Sequence, residues 1–202
     1  MIKKIMIITL FIIMIFSATK IKAQEVLMNS AETINPGNFK LAIFPTALLG
    51  NNGWDTVWGV AGRAGLGLTN RVDIEAKGAI FKNLTYFGVD IEYWFHHGKS
   101  INASALAGFH VTEWKSGLKS SGIDVAVLLS TRPAKRLEIY CGLKLAFDSF
   151  NRFNQNFTLA HIVPGFEYRI TSEIDFLAEY GISLNNRSKN YFSIGFAYYF
   201  LK

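Results

Sequence analysis

Fourteen ionisable residues fall at alternating positions of short apolar segments: Lys40, Arg63, Asp73, Glu75, Lys77, Asp90, Glu92, Asp124, Glu138, Lys144, Glu167, Arg169, Asp175 and Glu179. In a strand, every second side chain points to the same face, so these charges oppose their apolar neighbours. A low-dielectric interior holds such groups only when they are paired. Reflecting neighbouring strands about their turns sets Arg169 opposite Asp175 about Ser172, and Lys144 opposite Asp124 about Ala134. Asp73, Glu75, Asp90 and Glu92 crowd onto one wall, where Arg63 and Lys77 are expected to neutralise them. A hard cation such as Ca²⁺ would suit the carboxylates, but no loop-type ligand spacing accompanies them. No metal and no cofactor is expected.

Two further groupings carry chemistry. The same reflection places His161 opposite Ser183, the beginning of a nucleophile–base pair in an ester or lipid hydrolase. Lys144 is the nearest inward ionisable group on the other flank and disfavours an imidazolium. No G-x-S-x-G elbow is present, and none is expected on a barrel strand. This pair is the enzymatic alternative to a non-enzymatic reading. His110, beside Asp124 and Tyr86, reads as an internal hydrogen-bond network, and His96-His97 as exposed turn residues.

The elements that must position these residues are strands, because from Asn38 onward the dominant period is two. In the last segment Phe192, Ile194, Phe196, Tyr198 and Phe200 share one face, and Ser193, Gly195, Ala197 and Tyr199 the other. Ten strands are predicted, at 38–49, 56–69, 72–82, 84–95, 101–114, 121–131, 137–148, 157–170, 174–184 and 190–201, with eight as the alternative count. Most approach the ~9–11 residues that a tilted strand needs to cross a bilayer. An even count returns both termini to the periplasmic side. Tight turns at Thr69-Asn70-Arg71, His97-Gly98-Lys99, Arg132 to Arg136 and Thr171-Ser172-Glu173 then lie on that side. Thr69 to Ile74 echoes Thr171 to Phe176: a turn, an apolar residue, then an acid.

Alternation alone does not separate a barrel in lipid from one in water; three features do. Glycine sits on the polar face of nearly every strand, among them Gly59, Gly65, Gly67, Gly88, Gly108, Gly122, Gly165, Gly181 and Gly195. It has no side chain to pack and weakens a strand, but inside a narrow barrel it makes room. Aromatics gather in two belts: Tyr93, Phe95, Phe166, Tyr168, Tyr198 and Phe200 near one end, and Trp54, Trp58, Phe87, Phe147, Phe157 and Phe192 near the other. Ionisable groups leave the apolar face except Glu113, which lies near a strand end. In hydrocarbon an open sheet edge leaves backbone groups unpaired, so the sheet must close.

The first 23 residues read as a secretory signal: Lys3 and Lys4, an apolar run from Ile5 to Phe16, and a cut after Ala23. Residues 24–37 read as a short periplasmic lead-in ending at Asn35-Pro36-Gly37, and 38–202 as the barrel. Removing the signal's four lysines from 21 basic against 15 acidic residues leaves a mature charge of +2. That excludes the clustered basic face of a nucleic-acid binder. The single Cys141 excludes an internal disulfide framework.

The signal ending at Ala23-Gln24, the short alternating strands and the final Tyr191-Phe192-Ser193-Ile194-Gly195-Phe196-Ala197-Tyr198-Tyr199-Phe200 resemble the small bacterial outer-membrane β-barrel proteins, the porin-like group that includes OmpA- and OmpX-type barrels. The resemblance spans the mature chain, is architectural and carries no diagnostic motif. It implies outer-membrane localisation and insertion by a barrel-assembly machine. In that group a C-terminal aromatic is the assembly signal, whereas here Leu201 and Lys202 follow Phe200.

The expected fold is thus an all-β, closed, antiparallel up-and-down transmembrane barrel. Ten strands give a backbone radius of roughly 10 Å, mostly taken up by side chains. The expected function is a structural barrel or a narrow porin-like pore, cation-preferring because acids exceed bases in the lumen. Outer-membrane lipid is the expected surroundings. Basic loop residues Lys115, Lys119, Arg152, Arg187 and Lys189 suggest contact with lipopolysaccharide phosphates as an alternative role.

Overall fold

The computed structural model describes residues 31–50, 55–150 and 155–200. The leader, residues 24–30 of the lead-in, Trp54 and Arg152 lie outside these residues. Ten strands follow in chain order: β1 (Phe39–Leu48), β2 (Val57–Thr69), β3 (Val72–Phe81), β4 (Leu84–His97), β5 (Asn102–Trp114), β6 (Lys119–Ala134), β7 (Leu137–Phe150), β8 (Gln155–Arg169), β9 (Ile174–Ser183) and β10 (Tyr191–Phe200). Each pairs antiparallel with its chain neighbours, and β1 pairs with β10, from Phe39 opposite Phe200 to Leu48 opposite Tyr191. The count is ten, not eight, and the sheet has no edge.

Burial alternates as the sequence period requires, and it does so inside out. Trp58 and Ile80 are 67% and 68% exposed on the outer face, while Asp124 and Ser193 are fully buried within. A barrel folded in water would show the reverse. The outward aromatics Tyr93, Phe95, Phe166, Tyr168, Tyr198 and Phe200 belt one end; Trp58, Phe87, Phe147 and Phe192 belt the other. Phe157 is a correction. It shares the parity of His161 and Gly165, so it points inward and packs edge-on to Phe150 with ring centroids 5.0 Å apart.

The lumenal glycines are seats for large side chains. A Cβ on Gly88 would lie 2.7 Å from Cε of Lys77, and one on Gly122 would lie 2.6 Å from Cε1 of His110. A Cβ on Gly165 would strike the Tyr140 ring.

The echoed turns share a device. Thr69 Oγ1 accepts the Arg71 N–H at 3.1 Å, and Thr171 Oγ1 accepts the Glu173 N–H at 3.2 Å. Both are side-chain-to-backbone turns of the Ser/Thr type. At the closing seam Pro45 offers no N–H, and the β1–β10 ladder skips from Ile43–Phe196 to Thr46–Ser193. The Thr46 hydroxyl bridges the gap, bonded to the Phe44 carbonyl oxygen at 3.1 Å and the Ser193 hydroxyl at 2.8 Å.

One register expectation fails. Asp124 stands opposite Ala146, and Lys144 opposite Ala126. The hairpin turns on Lys135-Arg136, with Ala134 paired to Leu137 and an irregularity after Thr131. A slip of two residues keeps every side chain on its face while changing its opposite number.

Candidate functional site

Strand direction sorts the lumen into three layers. Midway along, on the crowded wall of β3 and β4, Arg63 and Lys77 reach two of the four acids, Glu75 and Asp90, while Asp73 accepts the Ile34 N–H and Glu92 the Ser104 hydroxyl. Asp73 stands opposite Glu92 and Glu75 opposite Asp90. Arg63 reaches Glu75 at 2.7 Å and Asp90 at 2.9 Å; Lys77 reaches Asp90 at 2.7 Å and Asp124 at 2.9 Å. Lys40 of β1 adds a 2.5 Å contact to Glu75. Asp124 takes Lys77 and extends the chain to His110, whose Nδ1 lies 3.0 Å away. Tyr86 stacks on His110 and reaches Asp124, as the sequence suggested.

The other His110 nitrogen, Nε2, contacts Asp148 at 2.8 Å. Asp148 was missed. It has the inward parity of Glu138 and Lys144, but it falls at the predicted strand end, whereas β7 runs on to Phe150.

The layer nearest the chain termini contains a strap that sequence reasoning took for a lead-in. Asn35-Pro36-Gly37-Asn38 forms a turn closed by the Asn38 N–H on the Asn35 carbonyl at 3.0 Å, with Gly37 at φ 75°. Proline and then a positive-φ glycine is the type II arrangement. It folds Ala31–Asn35 back into the lumen. There the Ile34 N–H donates to Asp73 Oδ2 at 2.8 Å. Glu32 accepts from Asn102 at 3.0 Å and pairs with Arg132. Gly65 and Gly67 make room: a Cβ on the first would meet Ile34 Cδ1 at 2.6 Å, and one on the second would collide with the Asn35 and Ile34 carbonyl oxygens. Sequence reasoning saw these glycines but not what they face.

Beside the strap lies a cavity of about 440 Å³, lined among others by Glu32, Trp94, Arg132, Glu138, Glu167, Arg169 and Asp175. Arg169 stands opposite Asp175, as expected, with Nε 3.5 Å from Oδ1. Glu138 stands opposite Glu167. Deeper on this wall, Glu179 accepts from Tyr140 at 3.1 Å and Tyr191 at 2.8 Å. Burial, with the charge of Glu138, pushes the strap's Glu32 up to about 7, against the pull of Arg132 and Arg169.

The layer at the far end holds a cluster of large apolar and aromatic side chains. Phe44, Leu48, Phe81, Phe150, Phe157 and Tyr191 are each at most 5% exposed. The 184–190 connection folds down over them rather than outward. Arg187 lies 5.0 Å over the Phe157 ring, and Lys189 donates to the Asp55 carbonyl oxygen at 3.2 Å. Two of the five expected basic loop residues are thus buried. Lys119 is exposed and paired with Glu113 at 3.0 Å.

His161 and Ser183 are opposite each other, as the reflection requires. Both side chains bond to the 184–190 connection. Ser183 Oγ contacts the Asn185 carbonyl oxygen and Ser188 Oγ, both at 2.5 Å, while His161 Nε2 lies 3.1 Å from the Lys189 carbonyl oxygen. Among the described residues no group of three or more His, Cys, Asp or Glu is placed to hold a metal ion.

No protein-family model and no curated protein sequence matches the chain. Solved structures do. The outer membrane channel from Pseudomonas putida F1 superposes with a TM-score of 0.57 at 8% identity, over 87% of this chain and 100% of that one. The outer membrane protease OmpT from Escherichia coli gives 0.51 at 10% identity, over 85% and 100%. At such identities the likeness is one of fold. The chain has the fold of a bacterial outer-membrane β-barrel.

Proposed function

We propose that this protein is a non-enzymatic outer-membrane barrel of the structural kind, exported by its 1–23 leader and closed to solutes in this conformation. The observation that carries the reading is the apolar layer of Phe44, Leu48, Phe81, Phe150, Phe157 and Tyr191 across the far half of the lumen. A water path would leave such side chains wetted, and apolar constrictions block ions by dewetting. Outer-membrane lipid surrounds the apolar belt, a barrel-assembly machine inserts the chain, and the exposed Lys115 and Lys119 offer a modest contact for lipopolysaccharide phosphate.

Planar-bilayer recording tests the closure. Current steps no higher than background are expected from membranes into which the protein has demonstrably inserted. Stepwise cation-selective currents would replace this reading with the narrow porin. That alternative is favoured by the charge balance of the inward strand faces, where ten carboxylates but only four lysine or arginine side chains are buried among the described residues. The hydrolase alternative rests on the juxtaposed His161 and Ser183. Esterase and lipid-deacylase assays are expected to give no difference between wild type and Ser183→Ala. A loss of activity in the variant would establish the enzyme.

A further inference from the structure

Two prolines interrupt the barrel wall, and both face the same hairpin. Pro45 of β1 faces β10 at the skipped pairs of the closing seam. Pro164 of β8 faces β9, where the ladder skips from Ile162–Ile182 to Gly165–Glu179. Continuing each register sets Pro45 opposite Ile194 and Pro164 opposite Tyr180. The hairpin itself pairs Phe192 with Tyr180 and Ile194 with Ala178, so the two breaks lie nearly level, one on each side of β9–β10. Proline has no N–H to give a ladder and is ordinarily kept to sheet edges or bulges. By contrast, β7 and β8 pair without a break from Leu137–Tyr168 to Phe150–Gln155.

The two gaps differ in how they are filled. At Pro45 the Thr46 hydroxyl spans the break to Ser193 at 2.8 Å. At Pro164 the surrounding residues are Val163, Gly181 and the outward Tyr180, none of which has a hydroxyl beside the backbone. On the lipid side this gap borders an apolar groove of about 570 Å³, lined among others by Pro164, Phe166, Ala178, Tyr180 and Phe192, which is the size of a small-molecule site. On the lumen side it borders the apolar cluster. Val163 and Tyr191 are fully buried there, and the Tyr191 ring covers Gly181 so closely that a Cβ on the glycine would collide with it. The Tyr191 hydroxyl donates to Glu179 at 2.8 Å, which holds the ring across the passage.

We propose that the β8–β9 seam at Pro164 is a lateral gate that admits one hydrocarbon chain of a bilayer lipid into the apolar cluster of the lumen. The occupant follows from what surrounds the gap. Hydrocarbon bathes its outer side and apolar side chains line both sides, so a chain that crosses exchanges one apolar environment for another. The wall there lacks a ladder hydrogen bond, so less must be broken to part it than at an unbroken seam. Glu179 lines the groove from the lumen side and disfavours an anionic headgroup, which stays at the membrane surface. Opening requires Tyr191 to swing off Gly181 and release Glu179, a carboxylate that Tyr140 continues to hold at 3.1 Å. The inference rests on the barrel lying in lipid and not on whether its lumen conducts.

The test uses the mature barrel reconstituted into phosphatidylcholine vesicles that contain a lipid with a photoactivatable diazirine on its acyl chain. Labelled residues are read by mass spectrometry after illumination. Labelling of the inward Tyr191 is expected alongside that of the outward Ile123 of β6. Pro164→Val, which restores the missing N–H, is expected to lower labelling at Tyr191 at least about threefold and to leave Ile123 unchanged. Pro133→Ala, at the β6–β7 turn, is expected to change neither. Hydrogen exchange gives a readout that needs no variant: the Tyr180 amide is expected to exchange faster than that of Gly142, which pairs with Val163 in the unbroken ladder. Labelling confined to outward residues, equal Tyr191 labelling in Pro164→Val, equal exchange at the two amides, or stronger labelling of Tyr191 by a water-soluble diazirine would each overturn the proposal. Loss of lipid labelling at Ile123 as well would overturn the membrane orientation and the gate with it, which separates the two failures.

Discussion

The mid-lumen and the cavity beside the strap use the same residue types a few strands apart and settle their charges in opposite ways. In the mid-lumen, Glu75, Asp90 and Asp124 each touch a lysine or arginine buried as deeply as they are, and the cations bridge from one carboxylate to the next. In the cavity beside the strap, Glu138 contacts Arg132 and Asp175 contacts Arg169, both arginines standing half in solvent, and Glu179 leans on tyrosine hydroxyls. The mid-lumen network holds five strands, β1 to β4 and β6, together. In the cavity beside the strap the one buried cation, Lys40, is held by Glu75, and the acids of β7 and β9 rely on arginines that solvent reaches. Acid count alone therefore does not describe how the lumen holds its charge; which cation each acid reaches, and how deeply that cation is buried, does.

The contrast breaks most visibly at Arg63. Arg63→Met removes the shared partner of Glu75 and Asp90 and leaves buried carboxylates underpaired, which costs about 3–5 kcal/mol. Urea unfolding in detergent is expected to show that loss, whereas Glu138→Gln shifts the midpoint little. Equal losses at the two sites would erase the distinction.

The strap comes next. Gly67→Ala sets a methyl group against the Asn35 and Ile34 carbonyl oxygens, and such overpacking costs about 1–3 kcal/mol. Faster hydrogen exchange at the Ile34 amide, with the strand amides unchanged, is the expected signature.

A smaller effect follows from Glu32. Its pKa is raised in the docked strap to about 7, so docking is strongest below the ordinary carboxyl range and weakens as pH rises through 7. A spin label at Asn35 is expected to gain mobility between pH 5.5 and 8. Glu32→Gln is expected to reduce that dependence, because Arg132, Glu138 and Arg169 then face no titrating group on the strap and the contact of Asp73 with the Ile34 amide alone remains. The smallest effect belongs to the exposed Lys119–Glu113 pair, where Lys119→Ala is expected to change stability by no more than about 0.5 kcal/mol.

Much of this was legible in the sequence, because a strand's period of two is strict. Parity placed Arg63, Asp73, Glu75, Lys77, Asp90 and Glu92 inside and predicted which of them would crowd together. Register was less legible, because it depends on where each turn folds. A two-residue error at the 132–136 turn exchanged Lys144 for Ala146 opposite Asp124. The Ser172 turn, pinned by Thr171 Oγ1, gave Arg169–Asp175 correctly. The strap was not legible, since one isoleucine before a Pro-Gly turn has no period. The unfilled space over Gly65 and Gly67 was the only hint of it. The inward fold of Arg187 and Lys189 was hidden for a similar reason: a charged loop reads as solvated until a ring and a carbonyl are found beneath it.

Every assignment above depends on which face of the sheet meets hydrocarbon. Cys141, the only cysteine in the chain, lies exposed on the outward face in the middle of β7 and reports on this without any substitution. A nitroxide attached there, in protein reconstituted into lipid bilayers, is expected to relax strongly with dissolved oxygen and hardly at all with a water-soluble nickel chelate. The opposite ranking, strong relaxation by the chelate and weak relaxation by oxygen, would contradict the account.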